Sequence, residues 1–229
     1  MDFSIKLLVS EAIRTVVNHA DWIGWNLFLA FIPLVLSVFL FRRTPIVKTA
    51  IEYRHRSLFW WLGVAVFVAF LPNAPYILTD IIHFVNWVRA GASIWVVTLI
   101  YVPLFVVFLT AGFEAYVMSL MNAGYYLKQR GLRHYVFPME LTLHALSAIG
   151  IFLGRFLRFN SWNILTHWND VAASLVEDVF DRQPMITIVI TFIILTLLYA
   201  LAKPLHFAMS HYWKFRPQPE RSQFVIPNS

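Results

Sequence analysis

The chain has 229 residues, of which 59% are hydrophobic, 17% aromatic and only 13% charged. A soluble domain carries about 25% charged residues, so this composition excludes a water-soluble core and points to a multi-pass helical membrane protein. The net charge of +6 follows from Lys and Arg gathered in alternate loops, so no nucleic-acid partner is expected, and the absence of cysteine excludes disulfides, thiolate metal sites and thiol nucleophiles.

Residues 1–21 are mixed in character. Ile5, Leu8, Val9, Ala12 and Val16 recur at helical spacing, with Lys6, Glu11, Arg14 and Asn18 elsewhere. The pattern predicts an amphipathic helix on the membrane surface; it lacks the basic start, apolar run and small-residue site of a secretory signal. Trp22 and Trp25 mark an interface, and residues 23–41 form the first predicted span.

The loop over 42–56 holds Arg42, Arg43, Lys48, Arg54 and Arg56 against one acid, Glu52. An excess of cations this large marks a cytoplasmic loop. The second span opens near Ser57 and continues to Trp87, about 30 residues or about 45 Å if straight, which exceeds the roughly 30 Å of hydrocarbon. Inside it lies Leu71-Pro-Asn-Ala-Pro-Tyr-Ile-Leu-Thr-Asp80, a polar and proline-rich break. Pro72 and Pro75 bias Leu71 and Ala74 away from helical geometry, and Pro75 suits the first turn of a new helix. A helix restarting at membrane depth presents free N–H groups, the device by which discontinuous transporter helices hold anions. A packed proline kink is the competing reading.

Residues 93–121 form the third span, followed by a basic loop with Lys128, Arg130 and Arg133. The fourth span covers 138–157. Residues 160–182 carry an apolar face beside Asp170, Glu177, Asp178 and Asp181 and are read as a surface helix. Residues 184–202 form the fifth span, and 204–229 a loose cytoplasmic tail. The predicted fold is therefore an all-α integral membrane bundle with one transmembrane domain over 22–203. It has five spans, or six or seven if 75–88 or 160–182 also cross. Twelve of the eighteen Lys and Arg lie inside when the amino terminus is outside and the carboxyl terminus cytoplasmic.

Two stripes could carry chemistry. Tyr76, Asp80, His83 and Trp87 are spaced by 4, 3 and 4 in the second span. Glu140, His144, Ser147, Ile151, Arg155 and Arg158 make the second stripe, in the fourth span, where Gly150 and Gly154 permit close helix contact. Depth matching pairs Asp80 with Arg155 towards the outside and Glu114 with His144 further in. Such pairs are favoured because each charge alone costs several kcal/mol in lipid, roughly 2.5–3.5 on the translocon scale; the same argument makes them structural. Asn73, Tyr76, Asp80, His83, Arg155, Arg158 and Asn160 are the candidate ligand-binding residues. No cofactor is expected, and no metal, since Asp80 and His83 supply only two ligands from one helix.

The segments Leu71-Pro-Asn-Ala-Pro-Tyr-Ile-Leu-Thr-Asp80 and Gly154-Arg-Phe-Leu-Arg-Phe-Asn-Ser-Trp-Asn163 resemble the two signatures of the bacterial membrane family catalogued as domain of unknown function 1361. Asn163 departs from the pattern, where Asp is expected, so no role passes to an acid there. The resemblance implies a multi-pass protein of the bacterial inner membrane with no assigned activity. Three functions compete: a carrier or permease-like protein for an anionic or zwitterionic solute, a structural or accessory subunit, and an enzyme acting on phosphate-bearing lipids at the outer interface. The expected partners are the lipid bilayer and either a second copy of the chain or another membrane protein.

Overall fold

A computed structural model describes residues 5–43, 56–91, 93–155 and 182–215. Helix α1 spans Ile5–Ser37 and continues into a wide turn at Val38–Arg42. The second span is built from α2 (Leu58–Phe70), α3 (Asn73–Tyr76), a tight turn at Ile77–Asp80 and α4 (Ile81–Arg89). The third combines α5 (Ile94–Val96), a wide turn at Val97–Tyr101 and α6 (Val102–Gln129). Helix α7 covers Val136–Arg155 and α8 covers Arg182–Phe215. Five helical runs are long and apolar enough to cross a membrane: His19–Arg42, Leu58–Arg89, Ile94–Gln129, Arg133–Arg155 and Gln183–Met209. The described residues contain helices and turns and no strand, so the architecture is the all-α bundle expected. Residues 75–88 belong to the second span and add no crossing of their own; of residues 160–182, all but Arg182 lie outside the described residues.

The helix boundaries follow from local chemistry. Ser57 caps α2, its hydroxyl accepting from the Trp60 amide at 3.3 Å. Pro103 lacks an amide and its ring crowds the carbonyl four residues back. The chain opens just before it, and the Val102 amide bonds the Val97 carbonyl five residues earlier. Helix α6 ends in a Schellman motif: Gly131 has φ of +76°, its amide reaches the Lys128 carbonyl at 3.1 Å, and the Leu132 amide reaches Leu127 at 2.9 Å. That closure turns the chain sharply into α7, so α6 and α7 lie side by side.

Helix α1 packs along α6 and α8 along α7, with the broken second span seated among α1, α6 and α7. The buried core joins Phe67, Leu71, Ala74 and Ile77 of that span to Phe105, Phe108, Tyr116 and Leu120 of α6 and Leu143 of α7. The opposite faces carry exposed apolar side chains such as Phe59, Val107 and Leu201, as surfaces facing lipid do.

The predicted surface segment and the first span share one continuous helix, Ile5–Ser37. One expectation is corrected here. The region after residue 203 does not begin as a loose tail, because α8 continues through Pro204 to Phe215. Lys203 pairs with buried Glu140 and His206 with half-buried Glu114, and those contacts outweigh the helix-breaking tendency of the proline. The remainder of the tail, 216–229, lies outside the described residues.

Candidate functional site

The break in the second span follows the packed-kink reading and not the restart. Leu71 keeps helical angles (φ −54°, ψ −39°) although a proline follows it, and Pro72 stays helical as well. The chain tightens instead of unwinding: the Ala74 amide bonds the Leu71 carbonyl at 3.2 Å, three residues back. Two prolines remove two N–H donors, so the break leaves surplus carbonyls and no fresh row of amides. Side chains donate to two other carbonyls around the break. Asn73 Nδ2 donates to the Phe70 carbonyl at 3.1 Å, and the Thr79 hydroxyl donates to the Tyr76 carbonyl at 2.7 Å.

Two glycines make room for this segment. A Cβ on Gly150 of α7 would meet the Pro72 ring at 2.5 Å, and one on Gly112 of α6 would meet Ile77 Cδ1 at 2.5 Å. The small residue at 150 thus lets α7 approach the proline directly. That contact sets Arg155, five residues further on, against the second half of the break.

Arg155 Nη2 donates to the Thr79 carbonyl at 2.7 Å, capping the tight turn. Its Nη1 lies 3.4 Å from the Tyr76 hydroxyl and 3.4 Å from Asp80 Oδ1, and the guanidinium stands 5.6 Å from the Tyr76 ring centroid. The ion pair is therefore single-pronged and long compared with the 2.7–2.9 Å of a strong charged bond. Asp80 is 1% exposed, and its Oδ2 has no hydrogen-bond partner among the described residues. His83 Nε2 stands 3.9 Å from the other oxygen, Oδ1, and the His83 ring packs edge-on against Trp22 of α1 at 4.7 Å. The structure thus gathers Tyr76, Asp80, His83 and Arg155, with Asn73 one turn away as an internal cap. Arg158 and Asn160 lie outside the described residues.

Glu114 and His144 do not meet. Glu114 pairs with His206 of α8 at 2.7 Å, and His144 shares a 2.7 Å hydrogen bond with the Tyr116 hydroxyl. Helix α8 supplies the partner of Glu114, and α6 the hydrogen-bond partner of His144. Glu140 is held most firmly: Lys203 Nζ donates to both of its oxygens at 2.6 and 2.7 Å, and the Tyr199 hydroxyl adds a third bond at 2.8 Å. The Tyr199 ring also meets the His144 ring at 4.9 Å.

Tyr116, Tyr199, Lys203 and His206 escaped the sequence reading. A signal existed, since Tyr199, Lys203 and His206 are spaced by 4 and 3 and form one stripe. Chemically, the two clusters differ. The Glu140 carboxylate is saturated, whereas the Asp80 carboxylate has an oxygen to offer. Among the described residues no group of three or more His, Asp or Glu is placed to hold a metal ion.

A family model described as "Protein of unknown function (DUF1361)" matches residues 25–197, well over half of the chain, and ends before Tyr199, Lys203 and His206 of α8. Neither the curated proteins nor the solved structures contain a match.

Proposed function

The chain belongs to this family of unknown function, and from that premise we propose that it is a small permease-like carrier. It would bind an anionic or zwitterionic solute between the second and fourth spans. The observation that carries the reading is the second oxygen of Asp80, buried and unpartnered beside an arginine. A buried acceptor without a donor costs about 1–3 kcal/mol, more when charged, so such a group persists where a proton or ligand periodically satisfies it. Arg155 offers its guanidinium to a carboxylate or phosphate, and Asp80 Oδ2 accepts from an ammonium or hydroxyl of the same solute. Tyr76 and His83 border the pair and would set its polarity. The membrane proposed is the bacterial inner membrane, with the amino terminus outside and the basic end of the bundle in the cytoplasm, from the distribution of Lys and Arg.

The test is counterflow into proteoliposomes with labelled amino acids as zwitterionic probes and inorganic phosphate and short carboxylates as anionic ones. Accumulation above protein-free vesicles is expected for at least one class, with loss in Asp80→Asn and in Arg155→Gln. No accumulation of any probe, or uptake that both variants leave unchanged, would overturn the proposal.

One observation favours the accessory-subunit reading: the short bond from Arg155 to the Thr79 carbonyl ties α7 to the break as a brace would. Under that reading a constant protein partner co-purifies, and Asp80→Asn alters assembly alone.

A further inference from the structure

The end of the bundle opposite Arg155 carries a second cationic site that the solute site does not use. The first span ends at Arg42, the second begins just after Arg56, and the third ends at Gln129. Arg42, Arg43, Arg56, Lys128 and Arg130 therefore collect at one membrane face. The acids of the described spans are Asp21, near the other end of the first span, and Asp80, Glu114 and Glu140, which are already paired with Arg155, His206 and Lys203 respectively. No carboxylate among the described residues pairs with these five cations.

All five lie over aromatic rings, and two adjacent tyrosines gather three of them. Arg42 lies over Tyr125 at 4.2 Å, while Arg56 and Arg130 both stand 5.4 Å from the Tyr126 ring centroid. The two guanidinium carbons around Tyr126 are thus at most twice that distance apart. Arg56 is fixed further by Nε donating to the Tyr126 hydroxyl at 3.0 Å and by the Trp60 ring at 5.4 Å. Arg42 is fixed by Nε donating to Asn122 Oδ1 at 2.7 Å, and buried Asn122 is itself locked by Nδ2 donating to Ser37 Oγ at 2.9 Å. The wide turn at Val38–Arg42 brings Arg42 into register with Asn122.

Contact with an aromatic face draws on the ring quadrupole and consumes no N–H. Each of these bonds to Arg42 or Arg56 uses the Nε–H, and no hydrogen bond among the described residues engages their terminal nitrogens. Cations held together repel unless an anion joins them, and arginines on aromatic rings at the hydrocarbon boundary match a phosphate in charge and in fork geometry. We propose that Arg42, Arg56 and Arg130, arranged on Tyr125 and Tyr126, bind the phosphate group of an anionic glycerophospholipid. The inference is independent of the carrier reading, since the site lies at the other face and shares no residue with it.

The experiment is native mass spectrometry of the full chain purified in mild detergent and offered phosphatidylglycerol and phosphatidylcholine in equal amounts. A cation at an anionic surface favours binding about fivefold, so the pair around Tyr126 predicts a phosphatidylglycerol preference of about twenty-five-fold. Arg56→Gln with Arg130→Gln should reduce that ratio to near unity. Arg89→Gln, at the opposite face, should leave it unchanged. Should the double variant fail to fold, each single variant is expected to lower the ratio severalfold. Millimolar inorganic phosphate separates the sources: displacement of the lipid shows that the phosphate group alone suffices, and retention assigns the intact lipid. Equal retention of both lipids by the wild type, or an unchanged ratio in the arginine variants, would overturn the site.

Discussion

Removing either member of the Asp80–Arg155 pair should have unequal effects, and the inequality separates a binding site from a clamp. Asp80→Asn removes a charge that is 1% exposed, has one unpartnered oxygen and receives a single 3.4 Å contact from Arg155. The attraction lost is weak, and the burial penalty relieved is large, so the two offset to within about 1 kcal/mol. Arg155 itself is partly exposed and keeps its 2.7 Å bond to the Thr79 carbonyl in this variant. Arg155→Gln loses that cap and leaves a buried carboxylate with no cation, which costs about 3–5 kcal/mol for a broken buried pair. For a chain of this size roughly 2–4 °C of melting temperature corresponds to each kcal/mol. Thermal unfolding of the purified variants in one detergent should therefore show Arg155→Gln lower than wild type by roughly 6–20 °C and Asp80→Asn within about 4 °C of it. Equal and large losses in both variants would refute the reasoning and make the pair a clamp.

Two further outcomes follow from the packing and the second cluster. Gly150→Ala places a methyl 2.5 Å from the rigid Pro72 ring, whereas Gly63→Ala places one 2.8 Å from the flexible tip of Leu40, so thermal unfolding should show the first losing about 1–3 kcal/mol and the second far less. Lys203→Met strands the buried Glu140 carboxylate and should cost about 3–5 kcal/mol, more than Glu140→Gln, whose stranded Lys203 is partly exposed and can reach the surface. In a double-mutant cycle, Glu140→Leu with Lys203→Met should recover most of the loss; a strictly additive cycle would contradict the pairing.

The spans were legible because crossing a bilayer demands about 20 apolar residues, and that demand leaves a plain trace in the sequence. The Asp80–Arg155 pairing was legible for a related reason: two ionised groups at one depth need each other. The partner of Glu114 was not, because the fifth span looked finished at Lys203 and Pro204. Helix α8 runs past that proline and delivers Lys203 to Glu140 and His206 to Glu114. At the break the chain forms the packed kink and not the restart. Prolines suggested a helix restart with spare amides, but prolines delete amides, and the exposed groups are carbonyls capped by Asn73, Thr79 and Arg155. Which donors would meet them depends on how α7 docks, through Gly150 on Pro72, and no spacing rule within one helix encodes that contact.

The central claim is that Asp80 is a carboxylate available to a proton or ligand, whereas Glu140 is fully engaged. A hydrophobic carbodiimide, which reacts with protonated carboxyl groups inside a membrane, tests it most directly when the labelled residue is identified by peptide mass spectrometry. The account predicts modification at Asp80, little at Glu140, and slower modification of Asp80 in the presence of a transported probe. An unreactive Asp80, or labelling no greater than that of Glu140, would contradict it.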